Sequence, residues 1–391
     1  MIPTIKTIED MEKLYYSKVG SNYISKVDAP VLSSTTGVYN AVYGAMVWGQ
    51  INQEANVFGC MPKFPWLRSG WRVITARAAS SSVGVAEGGS LPDTVKPTFA
   101  ELTASPKSIA HNFEVAEVQD FLAAESLDDA FGGMDHMRPL IGMHHKEMIN
   151  VMLLRDVSAE AGAATGHRDA TYDDQYESFE TIDRIVASNS EETAFGGTYD
   201  NWFDPYGTTV NREAVTYDAQ VSHASGTDRT LTDSLIRTQI ATVKEYGANP
   251  SVVITGHDTY SRIQGLYDTA VRYSPLGMSK ASFGVNGINT ATGLEMGIDV
   301  ATVYGLPLIV SKNVTKDTIS RIYILDTSDP EGFGEPRLGI KIAKPTQYFE
   351  AGIGAGTPFS VGKLSTEGMY RTMGEIVCHN FVTQGKIRDL K

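Results

Sequence analysis

Cysteine is nearly missing from the 391 residues: Cys60 and Cys378 are all there are. Two thiols cannot make a disulfide framework or a four-thiolate metal site, and they read as buried, inert side chains made in a reducing cytoplasm. Positive charge is also short. Lys and Arg number 33 against 46 Asp and Glu, a formal net charge of −13. No basic field exists that could grip phosphate backbones at physiological salt, which excludes a sequence-reading nucleic-acid binder. Long apolar runs are missing too: the longest, Val300 to Val310, is interrupted by Gly305 and Pro307. The amino terminus, MIPTIKTIEDMEKLYYSK, alternates charged and apolar residues and lacks the continuous apolar core of a signal peptide. The expectation is a chain neither exported by that route nor spanning a membrane.

What is present is the composition of an ordinary globular protein, 42% apolar and 20% charged, and the length suits two or three subdomains. The acidic excess is concentrated. Between Asp156 and Asp218 there are 14 acidic residues against Arg168, Arg184 and Arg212, in a setting of Gly, Ser, Asn and Thr. Self-repulsion and hydration make this a solvent-facing stretch of loops and short strands. A cation site among Asp173, Asp174 and Glu177 is the competing idea, but the D-x-[DN]-x-[DN]-G spacing of a calcium loop is absent. Adaptation to high salt is a weaker one.

Residues 1–70 hold no sustained period and read as an extended arm. From Trp71 to Ala78 apolar and polar residues alternate; a glycine-rich tip follows, with Gly84, Gly88, Gly89 and Pro92. Thr98 to Leu102 and Lys107 to Val115 return as strands, with Ile109, His111, Phe113 and Val115 on one face by the period of two. This is a long hairpin with a wide tip, and a two-stranded hairpin is marginal in water by itself, so it must gain its burial from something else, with another chain as the expected source. Arg138 to Asp156 is the best helix, with Asp135 as an upstream cap, Pro139 in the first turn, and Gly142, Lys146 and Asn150 as its polar row. Thr230 and Asp233 form a capping box for a second helix ended by Gly247 and Pro250; Ser251 to Thr255 is a short buried strand, and Asp258 caps a third helix carrying Ile263, Leu266 and Tyr267. Further strands are expected over 301–310, 321–325, 338–343 and 375–383. Strands and helices mix without βαβ regularity and without an internal repeat, which makes the chain α+β.

The chemistry-bearing patterns fall short. His144 and His145 with Glu147 evoke a zinc site, but adjacent histidines on a helix point about 100° apart, and His145 fits better as a satisfied residue on a half-buried face. GIGAGT at Gly352 to Thr357 resembles a phosphate loop, yet Pro358 and Phe359 follow it, so it reads as a turn. There is no G-x-S-x-G elbow, and Cys378 and His379 are neighbours in a strand. The sequon Asn313 to Thr315 reads as fortuitous without a signal peptide. The sequence therefore points to no enzyme, no cofactor and no metal.

The hairpin stretch GVAEGGSLPDTVKPTFAELTASPKSIAHNFEVAEVQDFLA, Gly84 to Ala123, resembles the extended loop of the major capsid proteins of tailed bacteriophages and related archaeal viruses, whose fold is named after phage Hong Kong 97. The likeness continues in collinear order: the spine helix Arg138 to Asp156, NPSVVITGHDTYSRIQGLYD, GLPLIVSKNV, RIYILDTSD and the closing MYRTMGEIVCHNFVTQG. It covers about residues 55–391 and is weakest in the acidic stretch, which has the look of an outward-facing insertion.

The resemblance implies an N-terminal arm (1–70), an extended loop (71–115), a peripheral domain with the spine helix and acidic insertion (116–227), an axial α/β domain (228–343) and closing peripheral strands (344–391). It implies a homo-oligomer: pentamers and hexamers tiled into an icosahedral virion shell, assembled in the host cytoplasm, that encloses double-stranded DNA without reading its sequence and without a membrane. Portal, scaffolding and decoration proteins are the implied partners; the chain has no room for a fused scaffolding segment, so a separate scaffold or none is expected. Glu87, Gly88, Gly89, Leu91, Pro92 and Lys96 would serve assembly at the loop tip, and Trp71, Arg72, His111 and Phe113 at its base and strand. Whether subunits cross-link through a Lys and Asn pair stays open. The alternative within the same fold is an encapsulin nanocompartment around a cargo enzyme.

Overall fold

The computed structural model describes residues 56–76, 84, 85, 87–89, 95–117, 120, 133–156, 178–195, 218–270, 301–330, 332, 334–357 and 362–391. Most of the expected N-terminal arm lies outside these residues, as do Leu91 and Pro92 of the loop tip and Asp173, Asp174 and Glu177 of the acidic stretch.

In chain order the elements are α1 (Asn56–Cys60), β1 (Lys63–Pro65), β2 (Gly70–Ala76), β3 (Thr98–Thr103), β4 (Lys107–Ala116), α2 (Met134–Leu154), α3 (Ile182–Ile185), α4 (Asn189–Phe195), β5 (Gln220–Ser222), α5 (Asp233–Glu245), β6 (Val252–Thr255), α6 (His257–Ala270), β7 (Ala301–Val303), β8 (Leu306–Val310), β9 (Ile322–Leu325), β10 (Leu338–Gly352), β11 (Ser365–Cys378) and β12 (Gly385–Ile387). They form a six-stranded sheet in the order β5-β12-β9-β6-β8-β7, a four-stranded sheet in the order β1-β10-β11-β4, and the two-stranded β2-β3. Pairing is mixed, with β6 parallel to β8 and antiparallel to β9, as α+β composition requires.

The chain divides into two compact units. One contains Ala110–His145 and Thr346–Thr372, and the other Glu54–Ile109, Lys146–Pro345 and Met373–Lys391. In the larger unit β6 is central and all four of its residues are buried, which is why VVIT shows no alternation. Helix α5 lays Ile236, Ile240 and Val243 inward, and Leu231, Ile236 and Ile240 join Val253, Leu308, Ile322 and Ile324 in one core. A second core gathers Ile149, Leu153, Ile182, Ile185, Ile254, Tyr323 and Ile340. In the smaller unit Phe113, Val115 and Met134 pack with Met137, Ile141, Tyr348 and Tyr370.

Several local expectations shift for identifiable reasons. The spine helix begins at Met134 because the Asp120 carboxylate accepts the Met134 N–H at 2.9 Å, so Asp135 sits in the first turn and Pro139 lies inside the helix. Asn150 is not on a polar row: it is buried, and its Oδ1 accepts the N–H groups of Val57 (3.0 Å) and Phe58 (3.1 Å), satisfying the start of α1. The α5 cap is Thr232, whose hydroxyl accepts the Leu235 N–H; Arg229 is still bridged to Leu390, so the helix cannot start at Thr230. Asp258 falls inside α6 because the helix follows β6 directly. Strand β10 runs on through Pro345, and β11 starts ten residues earlier than expected, since pairing between these neighbours overrides a local turn signal. GIGAGT is a turn, with Gly352 at φ +112°.

The largest correction concerns the acidic stretch. Its described part is not a solvated face: Ser178 to Ser188 and Glu191 are buried, including Glu180, Asp183 and Glu191. Carboxylates enter an interior when cations meet them there: Arg184 meets Glu180 from four residues on, and the distant Arg321, Lys386 and Arg388 meet Asp183 and Glu191.

Candidate assembly surfaces and a buried charge network

Strands β2 and β3 pair antiparallel, Trp71 with Leu102, Arg72 with Glu101, Val73 with Ala100 and Ile74 with Phe99, and the register shifts between Ile74 and Ala76. Paired residues share a face. Val73 and Leu102 are buried on one; Arg72, Glu101, Ile74 and Phe99 are exposed on the other. Arg72 Nη2 lies 2.8 Å from Glu101 Oε1, an open ion pair of small energetic weight. Beside it stand two large apolar side chains, Ile74 at 54% and Phe99 at 58% exposure. Val85 and Val95, nearer the tip, are exposed as well. A branched aliphatic and an aromatic side by side on a two-stranded ribbon form a patch that water disfavours.

Among the tip residues singled out from sequence, Glu87, Gly88, Gly89 and Lys96 are all exposed, and Gly88 has φ +77°, a conformation open to glycine at no steric cost. Trp71 is half-buried at the base, its ring edge-on to His379 at 5.3 Å. Phe113 is committed inside its own unit: it stacks on Tyr348, and a Cβ at Gly368 would come within 2.5 Å of its ring. His111 is half-buried and its Nδ1 lies 2.8 Å from His145 Nδ1. His145 is fully buried, with Nε2 2.7 Å from Thr372 Oγ1, the satisfied core histidine its position suggested. The described residues chosen from sequence thus separate into an exposed set, Arg72, Glu87, Gly88, Gly89 and Lys96, and a set packed inside the chain, Trp71, His111 and Phe113.

Sequence reasoning missed a heavily charged cluster in the larger unit. Asp183 is fully buried; it accepts from Arg321 Nη1 (2.9 Å), Tyr323 Oη (2.8 Å) and Lys386 Nζ (3.1 Å). Burial alone would raise its pKa, but Lys386, Arg321 and Arg388 reverse that and hold the carboxyl well below the usual range. Lys386 Nζ also meets Glu191 Oε1 at 2.8 Å, and Arg388 Nη1 meets the same oxygen at 2.6 Å. Arg321 continues to Asp156 and Asp317, at 3.1 and 2.8 Å. Burial works against the Arg321 charge; Asp183 and Asp156 outweigh it and raise its pKa well above normal. The available signal was Lys386-Ile387-Arg388 near the carboxyl end, where the period of two puts two cations on one side of an apolar residue.

This network holds elements together and offers no nucleophile. Burial, slightly opposed by Lys63, pushes the Cys60 thiol up to about 11, so it stays protonated at neutral pH. Both cysteines are buried thiols that form no disulfide. Among the described residues no group of three or more His, Cys, Asp or Glu is arranged to hold a metal ion, and no helix is long and apolar enough to cross a membrane.

No family model matches the sequence, and no curated protein matches it. Solved structures do. The capsid asymmetric unit of cyanophage A-1(L) superimposes with a TM-score of 0.56 at 14% identity, over 88% of this chain and 95% of that one. The capsid of a native GTA particle gives 0.49 at 11% identity, over 87% and 92%. The holo-SrpI encapsulin complex from Synechococcus elongatus PCC 7942 gives 0.43 at 11%, over 90% and 93%. At such identities likeness speaks to fold alone, and the first match carries that conclusion: the chain has the α+β fold of phage capsid subunits, the Hong Kong 97-type fold.

Proposed function

We propose that the chain is a major capsid protein, a subunit that self-assembles through pentamers and hexamers into an icosahedral shell around the double-stranded DNA of a tailed phage or archaeal virus. The observation that carries this reading is the ribbon β2-β3, which leaves Ile74 and Phe99 uncovered in a chain whose fold is that of shell subunits. A second copy of the chain offers the cover: head-to-tail contacts repeated around a closing rotation give rings, and rings joined through a further contact give a closed surface. Each contact can be modest because many act together. In this reading Trp71 seats the ribbon, His111 and Phe113 anchor the strand that follows it, and Glu87 to Lys96 touch the neighbour. The boundaries 1–70, 71–115, 116–227, 228–343 and 344–391 are the proposed division of labour, although Asp183 and Glu191 place part of 116–227 in an interior.

The net charge of −13 supports a container that DNA enters against no adhesive wall. The shell reading assigns the chain no catalytic step; the virion is its proposed location, with portal, scaffolding or decoration proteins as proposed partners. Electron microscopy of the expressed chain tests it: closed shells are expected, and none should form with Ile74→Ser and Phe99→Ser together, while the folded subunit persists. Soluble subunits that never close at high concentration would overturn the proposal. Particles that hold a host enzyme and no DNA after expression with the native neighbouring genes would replace it with the encapsulin reading.

A further inference from the structure

The smaller unit contains a hydrogen-bonded chain that packing does not explain. His111 Nδ1 faces His145 Nδ1 at 2.8 Å, His145 Nε2 faces Thr372 Oγ1 at 2.7 Å, and Thr372 Oγ1 faces Thr346 Oγ1 at 2.8 Å. These residues stand on β4, α2, β11 and β10. Each is within two residues of a point where the polypeptide passes from one compact unit to the other: Ile109 to Ala110, His145 to Lys146, Pro345 to Thr346 and Thr372 to Met373.

A neutral imidazole has one N–H and one lone pair, so two Nδ1 atoms 2.8 Å apart must share a single proton, one ring donating and the other accepting. The threonine hydroxyls donate or accept, and they serve either tautomer of His145. One added proton is tolerated: it goes to the outer nitrogen of the half-exposed His111, whose Nδ1–H then donates to a neutral His145. A second is not. Two imidazolium rings would set N–H against N–H, with ring centroids 5.0 Å apart and like charges in a partly dry site.

We propose that His111 and His145 form a proton-controlled clasp that ties β4, α2, β10 and β11 together at neutral pH and releases them in acid.

The groups around the clasp favour release. On α2, His144 stands edge-on to His111 at 5.3 Å, and Lys146 follows His145. On β11, the Tyr370 ring lies 6.3 Å from that of His145, and Arg371 points to the other face by the period of two. On β10, Tyr348 is 5.1 Å from Tyr370, and Lys344 shares the face of Thr346. Two nearby carboxylates have cations of their own: Glu350 takes Arg138 at 2.7 Å, and Glu114 takes Lys363 at 3.1 Å and Ser365 Oγ at 2.6 Å. Burial, and after it His144, push the His111 imidazole below its ordinary range. The folded state therefore binds fewer protons than the unfolded one. The clasp's stability is full above the ordinary histidine pKa of about 6.5 and falls below it, because two unfolded imidazoles take up protons where the folded pair takes one.

Hydrogen exchange of the full chain, read by mass spectrometry and corrected for intrinsic rates, tests the proposal. Between about pH 7.5 and pH 5, peptides covering 107–116, 138–150, 344–350 and 366–374 should lose about tenfold protection while those of β6 and β9 hold. In His111→Gln, which keeps a donor but cannot charge, the drop should vanish. If that variant does not fold, His111→Phe keeps the ring without a proton and should show protection independent of pH. A drop that survives in either folded variant, or a wild-type drop spread evenly over the molecule, overturns the inference. So does no drop at all. The test does not involve shell formation, so its outcome is independent of the capsid reading.

Discussion

Asp183→Asn is the substitution that should weaken the subunit most for the fewest atoms changed. The side chain is fully buried and is shared by Arg321, Tyr323 and Lys386 at 2.9, 2.8 and 3.1 Å. Removing one partner of a buried pair leaves an uncompensated interior charge, at a cost of about 3 to 5 kcal/mol. The lower end applies here, because Lys386 retains Glu191 at 2.8 Å and Arg321 retains Asp156 and Asp317. Against a typical total of about 5 to 15 kcal/mol, a loss of about 3 is a large share. With a urea slope of about 3 kcal/mol per M, the unfolding midpoint should fall by about 1 M. The control is Asp135→Asn. That carboxylate also pairs with an arginine, Arg138 at 2.8 Å, but its side chain is 89% exposed, so the change should stay under about 1 kcal/mol. A pH series adds a second readout. Asp183 titrates below its unfolded value, so its contribution is present above about pH 4 and is lost as pH falls further. Asp183→Asn should flatten that acid slope. Equal midpoints for Asp183→Asn and Asp135→Asn, or an unchanged acid slope, would refute the argument that burial gives this network its weight.

Other outcomes follow from single features. Deleting Gly84 to Val95 should leave a soluble chain that closes no shells, and light scattering with electron micrographs would contradict this by showing intact particles. Gly352→Ala should cost more than about 2 kcal/mol, because the residue sits at φ +112° and a Cβ there would stand 2.2 Å from the Ser365 carbonyl oxygen; thermal unfolding that matches wild type would count against it. Neither Cys60 nor Cys378 should react with a disulfide reagent at pH 7 before unfolding, since both are buried and the Cys60 thiol titrates near 11. Modification of the native chain within minutes would show a local opening that the packing does not explain.

Much of the architecture was legible because its cause is local. The run Val252 to Ile254 is apolar at every position and became most of a central strand; Leu235, Ile236, Ile240 and Val243 recur at helical spacing and became the inner stripe of α5; Ile109, Phe113 and Val115 alternate and became the buried face of β4. The pairing of β2 with β3 was legible in the alternation on either side of a glycine-rich stretch, whereas β4, expected to return in the same hairpin, lies beside β11 in the four-stranded sheet. The tertiary structure decided what no window of ten residues contains. Asp183 and Glu191 lie in a stretch whose charge argues for solvent, yet both are buried, since Arg321, Lys386 and Arg388 reach them from 138 to 203 residues away. His145 meets His111 across 34 residues and Thr372 across 227. A side chain's own chemistry sets how costly its burial would be, whereas the partner that offsets the cost is chosen by which strands the sheets bring alongside.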